Sequence, residues 1–137
     1  MIARYTRPEL AALWSEERRL ALFLEIELSA CAALEAEPGS PVPAGATQRL
    51  RDRAKQCGPL DAQRIRELEA VTQHELLAFL THVEERLGSE ARFLHFGLTS
   101  SDVLDTALAI QLRDAADLIL SGIDRSLLPA LRDKDRA

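Results

Sequence analysis

The stretch TSSDVLDTALAIQLRDAADLILSGI, residues 99–123, decides the fold. Its start, Thr99-Ser100-Ser101 followed by Asp102, has the composition of a helix N-terminus: hydroxyls that can accept from unpaired amide N–H groups, and an acid favoured by the helix dipole. Leu104, Leu108, Leu112, Ala115, Ile119 and Ile123 then recur at helical spacing, and Val103, Ala107, Ile110 and Leu118 widen the stripe. So broad an apolar surface predicts burial on more than one side, inside a helical bundle. Pro129 predicts a kink or an end, because its ring removes one hydrogen bond and clashes with the preceding turn. The tail from Arg132 to Ala137 carries no terminator, so the chain reads as one cut inside helix-forming sequence.

Composition supports the same fold class. The 137 residues include 24 Leu and 21 Ala but only six Ile and four Val, a β-branched shortage that predicts an all-α protein. With 47% hydrophobic and 28% charged residues the balance is globular and not that of a disordered chain. Seventeen Lys and Arg against 22 Asp and Glu leave a formal charge of −5, and no basic run supplies the electrostatic footprint of nucleic-acid binding. No apolar stretch approaches the length of a membrane span, and the N-terminus lacks the apolar core of a secretory signal, so the expectation is a cytoplasmic protein with no membrane partner. Cys31 and Cys57 have no second cysteine at metal-ligand spacing and read as two free thiols.

Upstream of residue 99 the periodicity predicts further helices. Thr6-Arg7-Pro8-Glu9 offers a capping hydroxyl, an early proline and a carboxylate three residues after the hydroxyl, which predicts one helix over about residues 8 to 36. Pro38-Gly39-Ser40-Pro41 ends it, and Pro43 is expected to open a short helix through about Lys55. Gly58-Pro59 closes that unit, and Asp61 is a good N-cap for the stretch Ala62 to Ala70. From Val71 the set Leu76, Leu77, Phe79, Leu80, Val83 and Leu87 has helical period up to a stop at Gly88, so Gln73-His74-Glu75 falls near the start of that helix. Between Gly88 and Asp102 a short structured loop carries His95.

Three histidines are candidates for chemistry, since placement and surroundings decide whether an imidazole acts. His82, one turn before Glu85 and Arg86, fits a solvated ion-pair position. His74 and His95 lie beside polar residues at a helix start and in a loop. His95 falls close in sequence to Thr99, Ser100 and Ser101, whose hydroxyls and backbone N–H groups could cradle a phosphate or carboxylate, although such a cluster before a helix is usually just a cap. Arg4 could pair with phosphate and Tyr5 could donate a hydrogen bond, or both could be ordinary surface residues. No His, Cys, Asp and Glu group has ligand spacing, so neither a metal nor an organic cofactor is expected.

Three blocks resemble the adenylosuccinate lyase branch of the fumarase/aspartase superfamily. They are residues 1–10 followed by Trp14-Ser15 and Leu24-Glu25-Ile26-Glu27; Thr72-Gln73-His74-Glu75 with Ala78-Phe79-Leu80; and the run from His95 to Ala107. Their order and placement agree with the family over almost the whole chain. The threonine-serine form of the last block is shared by a few members of the superfamily, and Arg4-Tyr5 points to this branch.

The resemblance implies a fumarase/aspartase-like all-α fold, with an N-terminal helical domain over residues 1–98 and the start of the central helical bundle over residues 99–137. It implies an elimination in which fumarate leaves adenylosuccinate, giving AMP, or leaves the related succinyl-aminoimidazole ribotide. Residues matching Arg4 and Tyr5 hold the nucleotide's phosphate end, and those matching Gln73, His74 and Glu75 contact substrate. Those matching Thr99 and Ser100 bind the succinyl carboxylate, and the one matching His95 supports binding and acid chemistry. Glu75 departs from the family's usual Asp, and its extra methylene moves the carboxylate by about one C–C bond. The family's second threonine-histidine motif and its serine-bearing loop lie beyond this chain, and Thr81-His82 precedes the position that motif would occupy. The implied partners are a nucleotide substrate and the other subunits of a homotetramer, with the 137-residue chain inactive alone. Two alternatives stay open: another lyase or cycloisomerase of the superfamily, and a non-catalytic helical interaction module.

Overall fold

Every regular element among the described residues is helical. The computed structural model describes residues 3–135, and its α-helices are α1 (Pro8–Leu13), α2 (Glu16–Glu35), α3 (Ala46–Cys57), α4 (Ala62–Thr72), α5 (Glu75–Leu87), α6 (Ser100–Gly122) and α7 (Leu128–Asp135). Two 3-10 turns, Ala3–Tyr5 and Ser89–Phe93, and a π turn, Ile123–Leu127, complete them. None of the helices is long and apolar enough to cross a membrane. The described residues form two compact units, one from residues 16–107 and the other from residues 3–15 and 108–135.

In the larger unit, α2 to α5 pack around Leu20, Phe23, Leu28, Leu50, Ile65, Leu76, Phe79 and Val83, all buried. Phe23 and Phe79 meet edge to face with centroids 5.5 Å apart and planes at 88°. As a pair the two rings gain about 0.5–1.5 kcal/mol beyond their burial.

The single helix expected over residues 8 to 36 is two. Trp14 leaves the helical region at φ −104°, ψ 14°, and Glu16-Glu17 restart the helix with two carboxylates at its positive end. The short helix expected from Pro43 starts instead at Ala46 and runs to Cys57, because Gly45 turns at φ 77° and Glu35 at the end of α2 supplies the cap from outside. The Glu35 carboxylate accepts from the N–H of Gly45 and, at 2.9 Å, from that of Thr47. The Thr47 hydroxyl and these two N–H groups hold the Glu35 carboxyl below its ordinary value.

Asp61 caps α4 as expected, its Oδ1 accepting from the N–H groups of Gln63 and Arg64 at 2.9 and 3.1 Å. The boundary after it moves. Val71 belongs to the last turn of α4, where it is 82% exposed, and α5 begins only at Glu75. Gln73 separates the two helices in the left-handed region at φ 53°, ψ 29°. Gly88, at φ 83°, stops α5 as the sequence indicates.

His82 is not solvated. It is 3% exposed, its Nε2 accepts from the Asp61 N–H at 3.1 Å, and its Nδ1 lies 3.4 Å from Glu85 Oε2. The neighbour is the expected Glu85, but a ring that accepts at Nε2 is neutral, so the contact is a hydrogen bond and not an ion pair; the ring sits where α5 meets the start of α4 and serves that loop's backbone. Cys31 and Cys57 are free thiols, Cys31 Sγ lying 3.4 Å from the Thr47 hydroxyl oxygen and Cys57 donating to the Arg86 carbonyl.

Along α6 the buried row is Val103, Ala107, Gln111 and Ala115, not the leucine stripe, since Leu108, Leu112, Ile119 and Leu120 are all exposed. In the smaller unit the Gln111 amide donates to the Leu13 carbonyl at 2.7 Å, satisfying one of the unpaired acceptors at the end of α1. Pro129 neither ends the helix nor acts at its own position. The turn before it widens, Leu128 N–H reaching back five residues to the Ile123 carbonyl, and α7 continues through the proline.

Candidate functional site

Leu20, Phe23, Glu27 and Cys31 fall on one buried row of α2, so Glu27 is a carboxylate placed among hydrophobes. It is 0% exposed, and burying such a group is costly unless its oxygens are paired. Both are. Oε2 accepts the backbone N–H of His95 at 2.6 Å, and Oε1 lies 2.7 Å from His95 Nδ1. One carboxylate thereby fixes the main chain and the ring of the same residue.

His95 stands in the left-handed region at φ 62°, a conformation that costs a residue with a Cβ of order 1–3 kcal/mol and persists where surroundings impose it. The surroundings are Glu27, followed by the Gly97 turn at φ 77°. The side chain is 24% exposed, and its Nε2 has no hydrogen-bond partner among the described residues.

His74 is held differently. It is the N-cap of α5, with Nδ1 accepting from the Leu77 N–H at 3.2 Å, a task more often given to a Ser, Thr, Asp or Asn oxygen. The residue is exposed, and its Nε2 also lacks a partner among the described residues. Gln73, next to it, folds its amide back to donate to the Ala70 carbonyl at 2.8 Å. Glu75 forms an ion pair with Arg19 of α2, whose guanidinium lies 5.5 Å above the Phe23 ring.

At the start of α6 the hydroxyl cluster is a cap. Asp102 Oδ2 accepts from the Thr99 N–H at 2.8 Å and Thr99 Oγ1 accepts from the Ser101 N–H at 3.3 Å, a reciprocal pair of the capping-box type. The Ser100 hydroxyl makes no hydrogen bond among the described residues, which leaves it available to a ligand. In the smaller unit Arg4 lies with its guanidinium 4.7 Å over the ring of Tyr5, which is 72% exposed.

No hydrogen bond or ion pair among the described residues joins His74, His95, Thr99 or Ser100 to one another. Nor do those residues contain three or more His, Cys, Asp and Glu side chains grouped to hold a metal. The site residue missed in the sequence reading is Glu27. Its signal was there: a carboxylate spaced four residues from Phe23 and four from Cys31, on the stripe that must face inward.

No family model matches the chain. Among curated proteins, the adenylosuccinate lyase of Synechocystis sp. is 44% identical over 132 residues, 96% of this chain and 29% of that protein. Those of Bacillus subtilis and Deinococcus radiodurans are 42% and 45% identical over 91% and 90% of this chain, and 28% of each of those proteins is covered. The chain is similar to one segment of adenylosuccinate lyases. It spans under a third of their length. Among solved structures, a fumarate lyase from Mesorhizobium sp. BNC1 superposes with a TM-score of 0.72 at 26% identity, over 84% of this chain and 26% of that one. The all-α, fumarase/aspartase-like fold expected from the sequence is therefore the fold of this lyase-like segment.

Proposed function

We propose that the chain is the N-terminal part of an adenylosuccinate lyase, with its helical domain over residues 1–98 and the beginning of the central bundle over residues 99–137. The complete protein then releases fumarate from adenylosuccinate and from succinyl-aminoimidazole-carboxamide ribotide in the cytoplasm, as a homotetramer and without cofactor. The observation that carries this reading is identity of 40–45% to adenylosuccinate lyases over 90–96% of the chain.

Such an elimination removes a proton beside the succinyl carboxylate and protonates the departing nitrogen, and fixed donors stabilise the charge that builds on the carboxylate. Ser100 and Thr99, at the positive end of α6, hold that carboxylate. Arg4 and Tyr5 take the phosphate end, and Gln73, His74 and Glu75 contact the nucleotide, with His74 and His95 presenting Nε2 to it. Glu75 is the most constrained of these by Arg19, so substrate must compete with that ion pair. The exposed row Leu112, Ile119, Leu120, Leu127 and Leu131 supports the oligomer, because a surface this apolar is ordinarily covered.

The test replaces the matching segment of the Bacillus subtilis enzyme with this chain. The chimera is expected to release fumarate from adenylosuccinate, His95→Ala in it to lose most of that activity, and the isolated 137-residue chain to release none. A chimera that assembles but turns over no adenylosuccinate rejects the reading.

A further inference from the structure

We propose that Glu27 is a positioning residue that sets the tautomer of His95, and that His95 and His74 are consequently fixed in opposite tautomers, His95 offering a bare Nε2 and His74 offering Nε2–H. The argument is one of donors and acceptors. A backbone N–H can only donate, so whatever faces it must accept. At His74 the Leu77 N–H points at Nδ1, which must therefore carry the lone pair, and the ring's proton sits on Nε2. At His95 the same rule applies to the other partner. Glu27 Oε2 takes the His95 N–H and Oε1 is left facing Nδ1 at 2.7 Å. An ionised carboxylate can only accept, so in the neutral ring the one proton between that oxygen and nitrogen is carried by Nδ1. Nε2 of the neutral ring is then an acceptor.

The two outward nitrogens differ in kind as a result: one accepts, one donates. That these atoms face a substrate rests on the proposed function; the tautomers themselves do not. A ligand that suits both presents a donor, such as an amine N–H, to His95 and an acceptor, such as a carboxylate or phosphate oxygen, to His74.

The experiment is a long-range 1H–15N spectrum of the 137-residue chain labelled with 15N-histidine, with the pH raised until the ring signals stop moving. The expected pattern is protonated Nδ1 for His95 and protonated Nε2 for His74. Protonated Nε2 on His95, or protonated Nδ1 on His74, overturns the proposal. Glu27→Gln adds a sharper requirement. The amide oxygen must take the place facing the His95 N–H, the NH2 then faces Nδ1, and the ring proton must move to Nε2. Retention of Nδ1–H in a folded Glu27→Gln chain overturns Glu27 as the cause; if that variant does not fold, the wild-type spectrum still decides the assignment. Loss of turnover in the chimera with the expected tautomers intact rejects the proposed function alone, whereas an active chimera with the wrong tautomers rejects this inference alone.

Discussion

The backbone N–H of Asp61 donates to the buried Nε2 of His82 at 3.1 Å, while the Asp61 carboxylate caps the helix that follows. Two unrelated tasks meet at one residue, and the histidine on α5 is what locks the entry to α4. His82→Leu keeps the volume but orphans that N–H. A loss of about 1–3 kcal/mol in chemical denaturation is expected, while Glu85→Gln, which alters the partner of Nδ1 and an exposed ion pair with Arg64 but orphans no buried N–H, is expected to cost less. Equal losses from the two variants would contradict this ranking.

Glu35 makes α3 sensitive to acid. Its carboxyl is held below its ordinary value by the Thr47 hydroxyl and by the N–H groups of Thr47 and Gly45. A group depressed in the folded state stabilises above its unfolded value, near about 4.3, and that contribution fades as the pH falls through the folded value. Glu35→Gln is therefore expected to lower Tm at pH 6, with the difference from wild type closing as the pH approaches 3. A gap of constant size across that range would show that the charge is not what matters.

Gly88 stops α5 at φ 83° and ψ −168°, a region nearly restricted to glycine. A Cβ there would meet nothing within 4 Å, so Gly88→Ala tests conformation without steric contact. The expected cost is about 1–3 kcal/mol of unfolding free energy. Wild-type stability in that variant would mean that the turn relaxes at no cost.

Pro129 should owe its π turn to its ring. In Pro129→Ala the Leu128 N–H is expected to move from the Ile123 carbonyl to that of Asp124, and the backbone amide that the substitution restores is expected to gain protection from hydrogen exchange. If the five-residue bond survives in the variant, the widening has another cause.

Gln73 holds a left-handed conformation that a side chain disfavours by roughly 1–2 kcal/mol. Gln73→Gly is expected to leave thermal stability unchanged or raised, since relief of strain offsets loss of the bond to the Ala70 carbonyl. In the active chimera the same change is expected to raise KM for adenylosuccinate. A lower Tm would remove strain as the description of this residue.

Much was legible from residue order alone, because helical periodicity and capping chemistry are local. The all-α class followed from abundant Leu and Ala, the α4 cap from Asp61 and the α5 stop from Gly88. The resemblance to lyases came from contiguous blocks, which carry into the sequence what a fold needs at its site. Tertiary structure decided what depends on residues far apart in the chain. Glu27 and His95 are 68 positions apart, and nothing in either neighbourhood says that one carboxylate will hold the other's backbone and ring. The same holds for Glu35 capping α3, and for His82, whose charged neighbours along the helix suggested water until Asp61 arrived from another segment to bury it. Periodicity says which face of a helix turns inward; only packing says which polar atoms will be waiting there.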